Sequence, residues 1–248
     1  MAKQKNYQQQ RYCTSDAPKS LADQPFYGLN LDPEQQIFRD AIYDPNTILV
    51  ACNSVAGCGK STIAVGVANL LVQYGFYDGI CYIASPTMEQ KQGYLPGSQE
   101  EKSAPYMEPL IEAMNTLGIS EYCLQAEDNI QGMKTGDAYI QFMVHTYLRG
   151  CNFENKVIII DEAANFYFDE LKKTLTRIHD SCKVILIGHT GQCDLVKHAE
   201  KSGFHIYLKA FERYIETHPD DDRIKICSLT TNHRGWISTF CDNVELEY

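Results

Sequence analysis

Apolar positions follow two rhythms along the chain. Short, nearly continuous apolar runs occupy Thr47–Cys52, Gly79–Ala84, Ala138–Val144, Lys156–Ile160, Lys183–Gly188 and Ile224–Leu229. Such runs, rich in β-branched residues, predict strands buried on both faces of a sheet. Between them the apolar residues are spaced as on one face of a helix. Ile37, Phe38, Ala41 and Ile42 form such a stripe behind Asp32, an N-cap residue, and Pro33, suited to the first helical position. Helical patterns also cover Ile63–Tyr74, Tyr106–Leu117, Asp169–Ile178, part of 197–222, and the segment that starts at Trp236. Strands alternating with helices predict an α/β fold with a mostly parallel central sheet flanked by helices. Residues 1–28, rich in Gln, Lys and Tyr, show neither rhythm and read as a polar tail or an arm that docks on a neighbour. Residues 29–248 read as one domain.

The first strand and the helix after it are joined by Ser54-Val55-Ala56-Gly57-Cys58-Gly59-Lys60-Ser61-Thr62. Strand, glycine-rich turn and helix form the context of a phosphate-binding loop. The glycines let backbone N–H groups turn inward on a polyphosphate, and the helix N-terminus adds a partial positive charge. Lys60 would reach the β- and γ-phosphates, and the Ser61 hydroxyl would bind Mg²⁺. Ser54 stands where the first glycine of the strict pattern is usual. The stretch from Val55 to Thr62 is therefore the candidate ATP cradle, and Cys58 inside it suggests that oxidation or alkylation there blocks the nucleotide.

A second pole follows the strand at 156–160. Asp161 and Glu162 end a β-branched run, where ligands bind in open α/β sheets. Asp161 would hold Mg²⁺, directly or through water, and Glu162 would orient and deprotonate an attacking water. Gln192, in the turn after the strand at 183–188, is a candidate contact for the γ-phosphate or that water. Arg234, after the last strand, is a candidate γ-phosphate finger, although on local sequence a surface arginine is the commoner outcome. Gln35, one turn ahead of the first apolar stripe, could hydrogen-bond adenine. The polar stretch Ser85–Pro105 reads as a long loop, a feature often tied to function.

Composition narrows the setting. The chain has 248 residues, 44% hydrophobic and 22% charged, ordinary values for a globular protein. No window approaches the ~20 apolar residues of a membrane span, and no apolar signal core opens the chain, so a cytoplasmic location is expected. The ten cysteines include no C-x-x-C pair, which argues for reduced thiols rather than a zinc ribbon. A net charge of −10 gives no general attraction to nucleic acid, so any strand would need a local basic groove.

Taken together, residues Leu31 to Arg234 resemble the PhoH-like family of P-loop ATPases, related to superfamily 1 helicase motors. Gly93-Tyr94-Leu95-Pro96-Gly97, Glu100-Glu101-Lys102 and Pro105-Tyr106 are similar to that family's Gly-Phe-Leu-Pro-Gly, Glu-Glu-Lys and Pro-Tyr signature. Tyr147-Leu148-Arg149-Gly150 with Phe153, Asp161-Glu162-Ala163-Ala164-Asn165, Leu175-Thr176-Arg177-Ile178 and Gly188-His189-Thr190-Gly191-Gln192 are similar to further motifs in the same order. Leu229-Thr230-Thr231-Asn232-His233-Arg234 looks like the helicase Leu-x-x-Asn-Tyr-Arg motif and strengthens the case for Arg234. The chain departs from the family at Ser54, Ser85, Cys151 and Asn152, and at Ala164 and His189, the two that bear on the coupling of hydrolysis to neighbouring loops.

The resemblance implies a RecA-like domain that hydrolyses ATP with Mg²⁺ and acts on RNA or single-stranded DNA. It implies a homo-oligomer, a hexameric ring among the forms, with Arg234 at a subunit boundary. The Arg149 loop and Lys172-Lys173 are the candidate strand contacts, with solvated surface or a subunit contact as the blander outcome. The rival reading is an ATP-gated interaction module with little turnover. A nucleotide kinase is disfavoured, because Asp161-Glu162 suits activation of water.

Overall fold

The computed structural model describes residues 12–85, 99–126, 128–148, 150–191 and 202–242. The six apolar runs become β1 (Leu49–Ser54), β2 (Gly79–Ala84), β3 (Ile140–Val144), β4 (Lys156–Asp161), β5 (Lys183–Gly188) and β6 (Ile224–Leu229). They form one sheet in the order β3-β2-β4-β5-β1-β6, and every pairing is parallel. This explains why the central runs carry no alternation: both faces are covered. Phosphate-loop strand and carboxylate strand are thus not neighbours, since β5 lies between β1 and β4. All C-terminal strand ends point to one edge, and there Ser54 and Asp161 finish their strands. The result is an α/β fold with a parallel central sheet flanked by helices, as the sequence predicts.

The helices are α1 (Pro33–Tyr43), α2 (Lys60–Gln73), α3 (Gln99–Leu117), α4 (Ile130–Thr135), α5 (Phe168–Leu175), α6 (Gly203–Thr217) and α7 (Trp236–Asp242). One apolar layer joins α1, α2 and α3 to the sheet through Phe38, Ile42, Ile63, Leu71, Leu110 and Met114. The other joins α5 and α6 through Phe166, Leu171, Phe204 and Leu208. Helix α2 is buried almost all round, as befits the central helix under a sheet. Helix α3 begins at Gln99, upstream of the start near Pro105 that its composition suggests, and carries Pro105 and Pro109 within it. Helix α5 ends at Leu175, short of the expected Ile178.

The amino-terminal arm differs from the sequence expectation. Leu21 and Phe26 are buried in the α1–α3 layer, and Tyr27 Oη donates to Gly66 O at 3.1 Å. Asn69 Nδ2 donates back to Tyr27 Oη at 2.8 Å, and Tyr43 Oη donates to Pro18 O. Residues 12–28 therefore dock on their own chain. Three apolar anchors spaced among polar residues leave no periodic signature, which is why the packing was not legible.

Candidate functional site

The loop after β1 has the backbone its glycines allow. Gly57 and Gly59 lie at φ 71° and 79°, in the left-handed region that favours glycine. Ser54 remains part of the extended strand and its hydroxyl donates to Gly188 O at 3.4 Å, so the usual first glycine is not needed. Gly59 is the N-cap residue of α2, and its carbonyl accepts from Ile63 N at 3.0 Å. The helix N-terminus thus faces the loop with Lys60, Ser61 and Thr62 in its first turn.

Two segments brace this loop. From α1, Gln35 Nε2 donates to Cys58 O at 2.9 Å, while Gln35 Oε1 accepts from Asp32 N at 3.0 Å and Asp32 Oδ1 from Gln35 N at 2.8 Å. That reciprocal cap fixes the glutamine, which is buried against the loop rather than displayed to solvent. From the far side, the segment after β6 crosses the same loop. His233 N donates to Gly57 O at 3.0 Å, and His233 Nε2 lies 2.8 Å from Asp32 Oδ2. Thr230 donates to Glu34 through its backbone N–H at 2.6 Å and its hydroxyl at 2.7 Å. Those two Thr230 bonds hold the Glu34 carboxyl below its ordinary pKa. For Asp32, partial burial pushes upward, but the Gln35 N–H and His233 outweigh it and the net shift is down.

Arg234 lies on this loop. A Cβ built on Gly57 would stand 2.7 Å from Arg234 Cγ and 2.8 Å from Asn232 Oδ1. The arginine stem therefore lies against the phosphate loop of its own chain.

Across the sheet, Ser61 Oγ donates to Asp161 Oδ2 at 2.7 Å. Tyr82 Oη donates to the same oxygen, and Glu162 N donates to Asp161 Oδ1 at 2.8 Å. Asp161 is only 2% exposed. Burial, and then the neighbouring Asp161 charge, push the Tyr82 phenol well above its ordinary pKa, so it stays a donor. Tyr82 is a site residue that sequence reasoning missed: it reads as one more apolar position in β2. Its pairing with Ile159 puts it on the same face as Asp161, two residues on. Glu162 sits at φ 50°, an unusual left-handed setting for a side chain and a form of strain often found at functional sites. Its Oε1 is 3.6 Å from Lys60 Nζ, with side-chain exposures of 46% and 13%. Burial would lower the Lys60 pKa, but Glu162 and then Asp161 raise it on balance, so the amine stays charged.

The oxygens of Ser61 and Asp161 fit a hard cation such as Mg²⁺, which is held by one or two protein oxygens plus phosphates and waters. Among the described residues no cluster of three or more His, Cys, Asp or Glu could hold a metal without such help.

Other candidates stand differently. Gln192, Arg149 and Gly93–Gly97 lie outside the described residues. Lys172 and Lys173 are exposed on α5, and the strand–loop residue Phe153 beside Cys151 bridges to Ile178 just after that helix. Cys58 is 1% exposed and burial raises its thiol pKa, so the loop cysteine is shielded. Ala164 and His189 lie where β4 and β5 end. Ser202 Oγ donates to Ala164 O at 2.9 Å, and a Cβ on Gly188 would stand 3.0 Å from Ala164 N. Thr190, next to His189, is tied to Asn53 of β1 by its N–H at 3.1 Å.

The model of the PhoH-like protein family matches residues 30–232. The chain belongs to this family. Protein PhoH of Escherichia coli (strain K12) is 33% identical over 169 residues, covering 66% of this chain and 45% of that protein. The PhoH-like protein of Mycobacterium tuberculosis is 30% identical over 199 residues, covering 79% of this chain and 51% of that one. The chain thus spans about half the length of these relatives. A solved structure, the Sulfolobus solfataricus SWI2/SNF2 ATPase core in complex with dsDNA, aligns over 82% of this chain and 46% of its own. Its TM-score of 0.47 and 16% identity are too low to bear on function. Among the described residues no helix is long and apolar enough to cross a membrane.

Proposed function

We propose that this PhoH-like chain binds Mg–ATP and hydrolyses it. The observation that carries the reading is the Ser61–Asp161 contact, with Lys60 and Glu162 beside it, between the first turn of α2 and the end of β4. Loop N–H groups and the Lys60 ammonium bind the β- and γ-phosphates and hold them against the N-terminus of α2. Magnesium, when bound at Ser61 and Asp161, supplies charge neutralisation at the phosphates. Glu162, half exposed and facing the phosphate lysine, orients a water and takes its proton. Arg234, already on the loop, offers its guanidinium to charge that develops on the γ-phosphate. Gln35 sets the loop carbonyl at Cys58, and the second N–H of its amide is available to adenine.

Coupling to RNA or single-stranded DNA is the finer part of the proposal. Support comes from the family likeness to helicase motors and from exposed Lys172 and Lys173 on α5. A homo-oligomer, as a ring, is supported by the apolar face of α7, where Trp236, Ile237 and Phe240 are 76%, 72% and 57% exposed. Steady-state ATP hydrolysis with and without single-stranded RNA and DNA tests both parts. Glu162→Gln should lower turnover by about 10²–10⁴-fold while ATP binding persists. Equal, slow turnover in both proteins would remove the hydrolysis step.

One observation favours an ATP-gated module as the second reading. The strap 230–234 links the phosphate loop directly to α7, so loop occupancy can be transmitted to that apolar helix without turnover. Change in oligomer size with non-hydrolysable ATP, with no hydrolysis of ATP itself, would select it.

A further inference from the structure

A cavity of about 520 Å³ opens at the opposite edge of the sheet from the phosphate loop. Its walls include Lys183, the first residue of β5, Asn155 just before β4, Tyr43 at the end of α1, and Phe76 and Tyr77 between α2 and β2. Parallel strands of six residues put this edge about 17–20 Å from the strand ends that carry Asp161 and Gly188. The cavity is therefore separate from the nucleotide site. The docked arm forms its remaining wall, with Pro18 held by Tyr43 Oη at 2.8 Å and Lys19 next to it.

Its lining is chemically unlike the rest of the molecule. The chain carries 32 acidic and 22 basic residues, yet the lining holds Lys19 and Lys183 and no carboxylate. Lys183 is 1% exposed, and its ammonium donates to Asp44 O at 2.7 Å and Thr47 O at 2.6 Å. An ammonium has three donors, so one remains beyond these two carbonyls. A buried cation is costly unless fully partnered. Aromatic and aliphatic surface from Tyr43, Leu71, Phe76 and Tyr77 supplies the apolar walls, and Asn155 and Ser181 supply polar atoms at the rim. Apolar walls with a few convergent polar groups, at this volume, are the features of small-molecule sites.

We propose that this cavity binds a small organic anion with a planar apolar body, its anionic group at Lys183 and Lys19 and its body against Tyr43, Phe76 and Tyr77. The proposal stands apart from the ATP reading and would survive its failure.

The test uses 2-naphthoate and its neutral counterpart 2-naphthylmethanol on the full chain, followed by amide chemical shifts with and without saturating Mg–ATP. Naphthoate should bind with a dissociation constant at or below about 1 mM and at least about tenfold more tightly than the alcohol, a preference of about 1.4 kcal/mol. Shifts should centre on Phe76, Tyr77 and Ser181 and persist with ATP present. Lys19→Ala, at an exposed position that leaves the fold intact, should weaken naphthoate at least threefold and leave the alcohol unchanged. Lys183→Met, where it folds, should remove the preference for the anion. Equal affinity for both probes, unchanged naphthoate binding in Lys19→Ala, shifts centred on Trp236 and Phe240, or no binding would each overturn it.

Discussion

The Ser61 hydroxyl and the Asp161 carboxylate meet at 2.7 Å although 100 residues separate them in the chain. The strand that leads into the loop before Ser61, β1, and the strand that ends in Asp161, β4, are not even neighbours. The contact exists because β1 and β4 end at the same edge of a parallel sheet, and because α2 begins immediately beyond the loop. Tyr82, from a third strand, donates to the same carboxylate oxygen.

Under the proposed function Tyr82 positions Asp161, and Tyr82→Phe isolates that role. Loss of a partner that orients a metal-binding carboxylate typically costs 10–100-fold in metal affinity. The Mg²⁺ concentration for half-maximal ATPase activity should rise about tenfold, with kcat at saturating Mg²⁺ within about twofold of wild type. A fall in kcat with no change in Mg²⁺ dependence would show that the phenol acts elsewhere.

Arg234 and Gly57 should be energetically coupled. Gly57→Ala introduces a Cβ 2.7 Å from Arg234 Cγ at a left-handed φ of 71°, so ATP affinity and stability should both drop. The backbone strain alone costs about 1–3 kcal/mol. Adding Arg234→Ala removes the clash with the arginine stem but neither the strain nor the 2.8 Å approach to Asn232 Oδ1, and a double-mutant cycle by urea unfolding should give a coupling of about 1 kcal/mol or more. Strict additivity would mean that the arginine stem leaves the loop in solution.

The buried loop thiol should be inert in the folded protein. Among the cysteines of the described residues, maleimide labelling followed by mass spectrometry should find Cys13 and Cys241, both exposed, modified first. Cys58 should react only on the timescale of unfolding, because burial both hides it and disfavours its thiolate. Saturating ATP should slow it no further than global stabilisation does.

Lys183 should give the protein an alkaline stability signature. Burial, the leading effect, lowers its pKa from 10.5 to about 8, with Asp44 opposing and Lys225 adding. Between those values the unfolded chain binds a proton that the folded chain does not, so stability rises with pH. The cost of burying the charge is fully present below pH 8 and is relieved toward pH 10.5. Relative to Lys183→Met, wild type should gain up to about 3 kcal/mol over that interval in urea unfolding. A difference that stays flat with pH would show the amine to be solvated.

By itself, the sequence determined the architecture and named the residues at the two ends of the candidate site. Continuous β-branched runs can be stable only as strands covered on both faces, and helical stripes between them leave a parallel sheet as the consistent arrangement. Gly57, Gly59, Lys60 and Ser61 are legible because a turn that wraps phosphate needs those residue types at fixed offsets. Asp161 and Glu162 are legible because carboxylates rarely end an apolar strand without a task.

Tertiary structure decided what depends on distance between remote segments. Tyr82 looks like core until β2 pairs with β4. Gln35 reads as a candidate adenine contact, and that its amide also holds Cys58 O emerges only when α1 packs on the loop. That Arg234 lies over Gly57 becomes visible only once β6 pairs with β1. The arm looks unattached until Leu21, Phe26 and Tyr27 find α1 and α2. Periodicity reports which face of an element is buried, but not what buries it. Only the packing of one element against another supplies the partner.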